Sequence, residues 1–318
     1  MKEELRHCPA CLGKKVSFQQ TVKDHSTSKE DFDIWSCNDC SHLFTNPRVK
    51  EGSVGPYYDN PDYISHTDDA TSVFAKVYQT LRGINLNWKH GYVAKYAQGK
   101  SLLDYGCGTG QFLEKMVQKG YSVQGVEIND GARAKASSFG KVFRAIEDVN
   151  GPVDAITMWH VLEHVYNLDQ LLEAFKLKMS ENATLIIAVP NPESYDAKYY
   201  GVDWAAWDIP IHVHHFTKNS MKVAVERNGF KLHKVLPMSL DSYYISLISE
   251  QYKEAAPTKK IRHWLRGLIR GTISNIKGGK DNTSSLIYVF KTAYLPLQAL
   301  LRASPLSVNV VFTSPFLS

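Results

Sequence analysis

No stretch of this 318-residue chain is apolar for long enough to span a bilayer, and the segment from Met1 to Cys11 is charged without an apolar core. Neither a membrane anchor nor a secretion signal is therefore expected, and the expected compartment is the cytoplasm. No long block of like charge occurs, and the formal net charge is only +5. That excludes extended disorder and argues against a nucleic-acid footprint, which would be stronger and more clustered, so no nucleic-acid partner is expected. Cysteine is scarce, with five residues, yet four of them fall into two C-x-x-C pairs. In a reducing compartment such pairs favour a metal over disulfides.

The pairs are Cys8-Pro9-Ala10-Cys11 and Cys37-Asn38-Asp39-Cys40. Between them Phe32 to Cys37 alternates like a short strand, which is the organisation of a zinc ribbon over residues 1–48. Each C-x-x-C turn can bring two thiolates to one tetrahedral ion, and the ion replaces a core that so short a segment cannot build. The expected metal is structural Zn2+ on Cys8, Cys11, Cys37 and Cys40. Four sulfur ligands close the coordination sphere and leave no position for chemistry. The competing reading is a redox C-x-x-C pair.

Residues 49–99 read as a linker loop followed by a covering helix, with Val73, Val77, Leu81, Ile84, Trp88 and Val93 at helical spacing. Tyr57, Tyr58 and Tyr63 precede that helix and either reach over a pocket or pack down. From residue 100 to 291 strands and helices alternate. Strands are expected at 102–104, 121–128, 142–143, 154–159, 183–189, 230–235 and 284–291, and helices after Gly110 and at 130–139, 168–178 and 218–228. This alternation defines an α/β fold with a parallel sheet covered by helices on both faces.

A helical insertion at about 240–283 interrupts the pattern before the last strand, with helices over 243–253 and 258–276. In the second, Ile261, Trp264, Leu265, Leu268 and Ile273 share one side, and Lys259, Arg262, Arg266 and Arg270 occupy much of the rest. Two readings stand: the apolar side packs on the domain, or the helix makes a peripheral membrane contact. The tail 292–318 is apolar but broken by Pro296, Pro305 and Pro315, and carries no functional reading.

The chemistry concentrates in Ser101-Leu102-Leu103-Asp104-Tyr105-Gly106-Cys107-Gly108-Thr109-Gly110. Glycines after a strand let the backbone approach a ligand, and the next helix offers unpaired N–H groups. A dinucleotide fingerprint needs G-x-G-x-x-G, whereas here the third glycine comes one residue early and Gln111 stands in its place. Asp104 at the strand end repels a pyrophosphate and suits a cofactor with an ammonium group. Glu127, ending the second strand, can accept both hydroxyls of a ribose. Glu147 and Asp148, after the third strand, are placed to meet an adenine amino group or are simply solvated loop acids. Cys107 reads as a small loop residue rather than a nucleophile.

The L-D-Y-G-C-G-T-G run, Glu127 and the segment Trp159-His160-Val161-Leu162-Glu163-His164-Val165 resemble class I S-adenosylmethionine-dependent methyltransferases over residues 101–235 and at the final strand. The resemblance implies a Rossmann-like seven-stranded sheet and S-adenosyl-L-methionine as cofactor. Asp104, Gly106, Gly108 and Gly110 match the family's first motif and Glu127 its ribose acid, with Trp159 and His160 bordering the methionine moiety. The cysteines ahead of this core are similar to those of sugar C-methyltransferases and related small-molecule enzymes with an N-terminal zinc module, although the long extra C-terminal domain of the sugar enzymes is missing. A small-molecule acceptor follows, a saccharide or a biosynthetic intermediate, methylated on oxygen or carbon.

Methyl transfer from a sulfonium is an in-line displacement, so a hydroxyl acceptor needs a base. Pro210-Ile211-His212-Val213-His214-His215-Phe216-Thr217 follows the fifth strand and is similar to a P-x-H-x-x-H-F-[ST] stretch of such enzymes. His212 is the first candidate base and His215 the second; alternatively these imidazoles hold the loop that starts a helix capped by Thr217. His160 and His164, spaced i, i+4, lack an identifiable third ligand. Tyr199, Tyr200, Trp204 and Trp207 form an acceptor wall or a packed lid.

The alternative function is an RNA- or protein-directed methyltransferase or binding protein recruited through the ribbon. Asp31, Asp33 and Asp39 beside Lys14 and Lys15 tell against nucleic acid there. A fold that keeps the cofactor without turnover is a third. Nothing in the sequence fixes the oligomeric state.

Overall fold

A computed structural model describes residues 1–58, 73–253 and 260–292, with backbone alone for 73–82 and 260–264. Tyr63, Val73, Val77, Leu81, Lys259, Ile261, Arg262, Trp264 and the tail beyond Thr292 lie outside the described side chains. The N-terminal module contains β1 (Lys2–Glu3), β2 (Val16–Lys23), β3 (Asp31–Cys37), β4 (Leu43–Thr45) and β5 (Arg48–Val49). The chain then runs through α1 (Val73–Tyr96), β6 (Ser101–Tyr105), α2 (Gln111–Gln118), β7 (Ser122–Val126), α3 (Asp130–Ala136) and β8 (Lys141–Phe143). It continues as β9 (Val153–Trp159), α4 (Leu168–Lys178), β10 (Met179–Pro190), α5 (Tyr195–Tyr200), β11 (His214–His215), α6 (Lys218–Glu226) and β12 (Phe230–Pro237). The last elements are α7 (Asp241–Lys253), α8 (Lys260–Gly278) and β13 (Ser285–Thr292).

Seven strands form one sheet in the order β12-β13-β10-β9-β6-β7-β8. From β8 to β10 neighbours run parallel, and β13 runs antiparallel to both β10 and β12. The chain leaves β6 toward β7 and β8, then returns to the other side of β6 as β9. That reversal opens a crevice at the carboxyl ends of β6 and β9, the place where open α/β sheets take ligands.

Successive strand residues point to opposite faces, and both faces of the sheet are buried. Leu102, Ala155, Ile186 and Ala188 meet Phe112, Leu113 and Met116 of α2 and Val93 of α1 on one face. Leu103, Ile156, Leu185 and Ile187 meet Leu168, Leu172 and Phe175 of α4 and Met221 and Val225 of α6 on the other. Side-chain caps start the helices as their sequences require: Asn129 accepts from the N–H of Ala132, Asn167 from that of Gln170, and Thr217 from that of Ser220.

The ribbon differs from the sequence reading in two ways. Strands β2 and β4 flank β3, and the four-stranded sheet is completed by β11 from the main domain, with His214 opposite Phe44 and His215 opposite Leu43. A third cluster, Trp204, Trp207, Tyr200, Ile245, Phe32 and Ile34, fills the space between ribbon and insertion. The aromatic stretch before the histidines is thus packed interior. Trp204 is 1% exposed and its indole N–H donates to Asp196 Oδ2 at 3.0 Å.

Helix α8 also departs from expectation. It meets α7 through small residues: a Cβ on Gly267 would lie 2.7 Å from Leu247 Cα, and one on Gly271 2.8 Å from Tyr243 Cα. Close backbone approach turns the larger apolar residues outward, so Leu265, expected on the packed side, is 57% exposed, and Ile269 and Ile276 are exposed with it. Among the described residues no helix is long and apolar enough to cross a membrane.

Candidate active site

The bend after β6 is built by three left-handed glycines, Gly106 at φ 75°, Gly108 at 54° and Gly110 at 84°. Two of them have no room for a side chain. A Cβ on Gly106 would meet Val161 Cγ2 at 2.5 Å, and one on Gly110 would meet Ala136 Cα at 2.7 Å. Gly108 faces open space, with no heavy atom within 4 Å of its notional Cβ. The loop is anchored across the sheet: the N–H groups of Gly106 and Cys107 donate to Val126 O at the end of β7. Glu127 accepts from the Gly108 N–H at 2.8 Å through Oε2 and from the Asn129 N–H at 2.8 Å through Oε1. Each oxygen keeps a further lone pair for a ligand hydroxyl.

Asp104 ends β6 in the interior, 3% exposed, and accepts from the Thr157 hydroxyl at 2.6 Å. Burial raises its carboxyl to about 7, against the pull of the Thr157 hydrogen bond and of the Lys89 ammonium. Lys89, on α1, places its Nζ 4.8 Å from the centre of the Trp159 ring, and burial pulls its own pKa down. The Trp159 N–H is buried without a hydrogen-bond partner. Cys107 is buried and its thiol is pushed up by burial, which disqualifies it as a nucleophile. Glu147 and Asp148 are exposed on the 3-10 turn after β8.

On the other side of the crevice His160 follows β9 in a left-handed conformation, φ 58°, rare for a residue with a side chain. Its Nε2 lies 2.7 Å from Asp241 Oδ2 and its Nδ1 3.3 Å from Glu163 Oε1. Burial disfavours the imidazolium, but the two carboxylates outweigh it and raise His160 to about 10, so the ring is a cation at neutral pH. His212 and His164 stack edge to face, ring centres 4.7 Å apart. The His212 Nδ1 pairs with Ala206 O at 3.0 Å and the His164 Nδ1 with Ile211 O at 3.1 Å. Burial depresses both, His212 well below the ordinary histidine range.

His215 lies beside His212, ring centres 6.4 Å apart, with its ring against Trp207 and Nε2 3.5 Å from Thr45 Oγ1 of the ribbon, and burial holds it at about 3. The two candidate bases are therefore neighbours with different partners. The structure also supplies partners absent from the sequence reading: Thr157, Lys89, Asp241 and Asp208, the last half-buried and raised to about 7 by desolvation with Asp24 and Glu163 nearby. Asp241 and Lys89 carried no legible signal, since each reaches the crevice from an element that has no motif.

The four ribbon cysteines converge, with Cys8 Sγ 3.6 Å from Cys40 Sγ and Cys11 Sγ 3.6 Å from Cys37 Sγ, and all four sulfurs within 4.8 Å of one another. These separations are too long for disulfides and suit the edges of a tetrahedron with metal–sulfur bonds of about 2.3 Å.

A glycine bend beneath a strand-end carboxylate, an acid closing the next strand and the reversed seventh strand define a class I methyltransferase fold. Residues 81–235, a little under half of the chain, match the family described as "Methyltransferase domain". A ubiquinone biosynthesis O-methyltransferase of Pseudomonas paraeruginosa is 28% identical over 134 residues, 38% of this chain and 58% of the relative. One from Acinetobacter baylyi is 24% identical over 183 residues, 52% of this chain and 76% of the relative. The chain thus spans less than two thirds of the length of the Pseudomonas relative. Among solved structures, a SAM-dependent methyltransferase from Archaeoglobus fulgidus is 18% identical with a TM-score of 0.46, covering 70% of this chain and 100% of its own.

Proposed function

We propose that this protein transfers the methyl group of S-adenosyl-L-methionine to a small-molecule acceptor, a hydroxyl of a biosynthetic intermediate or saccharide before a carbon. The observation that carries this reading is the open, left-handed Gly108 held by Glu127 beside the buried Asp104. In it Gly106, Gly108 and Gly110 supply the close approach and Glu127 holds the ribose hydroxyls. Asp104 answers the cationic methionine end, Glu147 and Asp148 meet the adenine edge, and Trp159 and His160 border the methionine. A desolvated carboxyl raised to about 7 gains most from a cationic ligand, because ionisation beside an ammonium recovers what burial costs.

The methyl carbon leaves sulfur as its bond to the acceptor oxygen forms, and the acceptor proton must pass to a base. His160, already protonated, serves as a fixed positive charge. His212, neutral and buried on the same side, is the better proton acceptor, while His215 positions the loop against the ribbon. The ribbon cysteines hold a structural Zn2+. The O-methyltransferase names of the relatives support a hydroxyl acceptor.

The test is transfer of labelled methyl from the cofactor into a cell extract. Label is expected in the small-molecule fraction with the wild type and lost with Asp104→Ala. Label in RNA or protein instead would overturn the acceptor class, and no heat on titration with the cofactor would overturn the whole reading.

A further inference from the structure

We propose that Glu163, His164 and His212 form a second metal site, distinct from the four cysteines, that takes a divalent transition cation such as Zn2+. Each offers one ligand atom within 4.8 Å of the other two. Donors around a tetrahedral ion of this kind stand about 3.4 Å apart, so small side-chain rotations complete the set.

The strongest observation is Glu163. It is 1% exposed; its Oε1 pairs with His160 Nδ1 at 3.3 Å, and its Oε2 has no hydrogen-bond partner. A buried carboxylate oxygen left without a partner is costly, and such groups are normally paired or bound to metal. The His160 contact engages Oε1 alone, which leaves the lone pairs of Oε2 uncommitted.

The two histidines are arranged as ligands commonly are. A backbone carbonyl only accepts, so the contacts with Ile211 O and Ala206 O place the proton of each ring on Nδ1. That tautomer leaves Nε2 of both rings as a lone-pair donor, the second-sphere pattern that orients metal-binding imidazoles. The supporting segments are fastened to each other, since the Val213 N–H donates to Glu163 O at 2.9 Å. Asp208 Oδ2, 3.9 Å from His212 Nε2, adds a second carboxylate at the rim. Two imidazoles and a carboxylate suit Zn2+, Fe2+ or Co2+ rather than Mg2+ or Ca2+.

Three protein ligands leave a coordination position for water or an acceptor oxygen. An ion bound here would take the His212 lone pair, and a hydroxide in the open position would then replace that imidazole as the group that takes the acceptor proton, becoming water. This last step rests on the methyl-transfer reading. Metal occupancy does not.

The full-length protein is stripped, reloaded with Zn2+ alone, dialysed and analysed for metal, and in parallel reconstituted with Co2+. Two zinc equivalents per chain are expected in the wild type and one in Glu163→Gln and His212→Gln. The thiolate-to-cobalt charge-transfer band of the ribbon should persist in both variants while the nitrogen and oxygen ligand-field bands disappear. A wild type that holds one equivalent, its Co2+ form showing thiolate bands alone, overturns the proposal; so do variants that keep two. Two equivalents in a protein that transfers no methyl group would keep this site and remove the function proposed above.

Discussion

His42 of the ribbon and His214 of the methyltransferase domain share a hydrogen bond of 3.0 Å in the interior, Nε2 to Nδ1. The carbonyl of Val165 accepts from His214 Nε2 at 2.8 Å, which fixes that proton, so His214 Nδ1 must accept and His42 Nε2 must donate. His42 Nδ1 then accepts from the Ser220 hydroxyl at 3.2 Å. One neutral tautomer satisfies the whole chain of contacts. Beside it the backbones of β4 and β11 pair, and Asn219 and Arg227 of the α6 region donate to Cys40 O and Ala10 O. The ribbon is thereby fastened to the segment that carries His212.

Removing the metal proposed for the four cysteines should therefore loosen that segment. Strong chelation, or Cys37→Ser, is expected to raise amide exchange at Leu43–Thr45 and at His214 and His215 about tenfold or more, each tenfold being about 1.4 kcal/mol of lost local stability. Exchange in β6 and β9 should change far less. Uniform acceleration through the sheet would show that the ribbon is not a separately held clamp.

The buried histidines predict acid sensitivity. His42, His212, His214 and His215 are all depressed, first by burial and then by neighbouring histidines, His164 among them, or by Arg48, with His214 and His215 at about 3. A depressed histidine binds fewer protons folded than unfolded, so its contribution is complete above the unfolded value of about 6.5 and is lost as pH falls toward 3. Denaturant midpoints should fall between pH 6.5 and 4, and His42→Gln should flatten that slope while lowering stability at pH 8. An unchanged slope in the variant would remove the His42 contribution.

Cofactor affinity should carry a proton linkage at Asp104. Its carboxyl sits near 7 because of burial, and an ammonium beside it lowers that value, so binding releases a proton on the acid side of neutrality. Affinity for S-adenosylmethionine is expected to rise from pH 6 to pH 8 and then level. Calorimetry in buffers of different ionisation heat reads the released proton. In Asp104→Asn both the linkage and most of the affinity should be gone.

The three loop glycines should divide into two kinds. Gly106→Ala and Gly110→Ala place a Cβ against Val161 and against the backbone of Ala136, and are expected to cost about 1–3 kcal/mol of stability each. Gly108→Ala meets nothing, so its cost is the left-handed strain of about 1–2 kcal/mol, while cofactor affinity falls by about tenfold or more. Thermal melts with and without cofactor separate the two. Equal destabilisation by all three would remove the claim that Gly108 faces the ligand.

Where the sequence was legible, local chemistry was the reason. Asn167 caps α4 at the expected boundary, Thr217 caps α6, and the runs at 183–189 and 284–291 are apolar enough to be strands wherever they pair. The ribbon's partners were not legible, because β11 is two residues long and becomes a strand only when it meets β4. The apolar side expected of α8 gave way to its glycines, since a close backbone approach to α7 outweighs burial of Leu265. Lys89 and Asp241 reach the crevice from helices whose sequences advertise only amphipathicity, and the burial of Glu163 with Oε2 unpaired depends on tertiary packing that no local pattern encodes.

The sequence alone determined the alternating α/β order, the glycine bend with its two acids and the fourfold cysteine set, because each depends on residues near one another in the chain or on a fixed short spacing. Tertiary structure decided which histidines share a site. It gave the neighbouring His212 and His215 different partners, paired His160 with Asp241 and joined Glu163 to two imidazoles, since contacts across the sheet's crevice arise only once the strand order brings distant segments together.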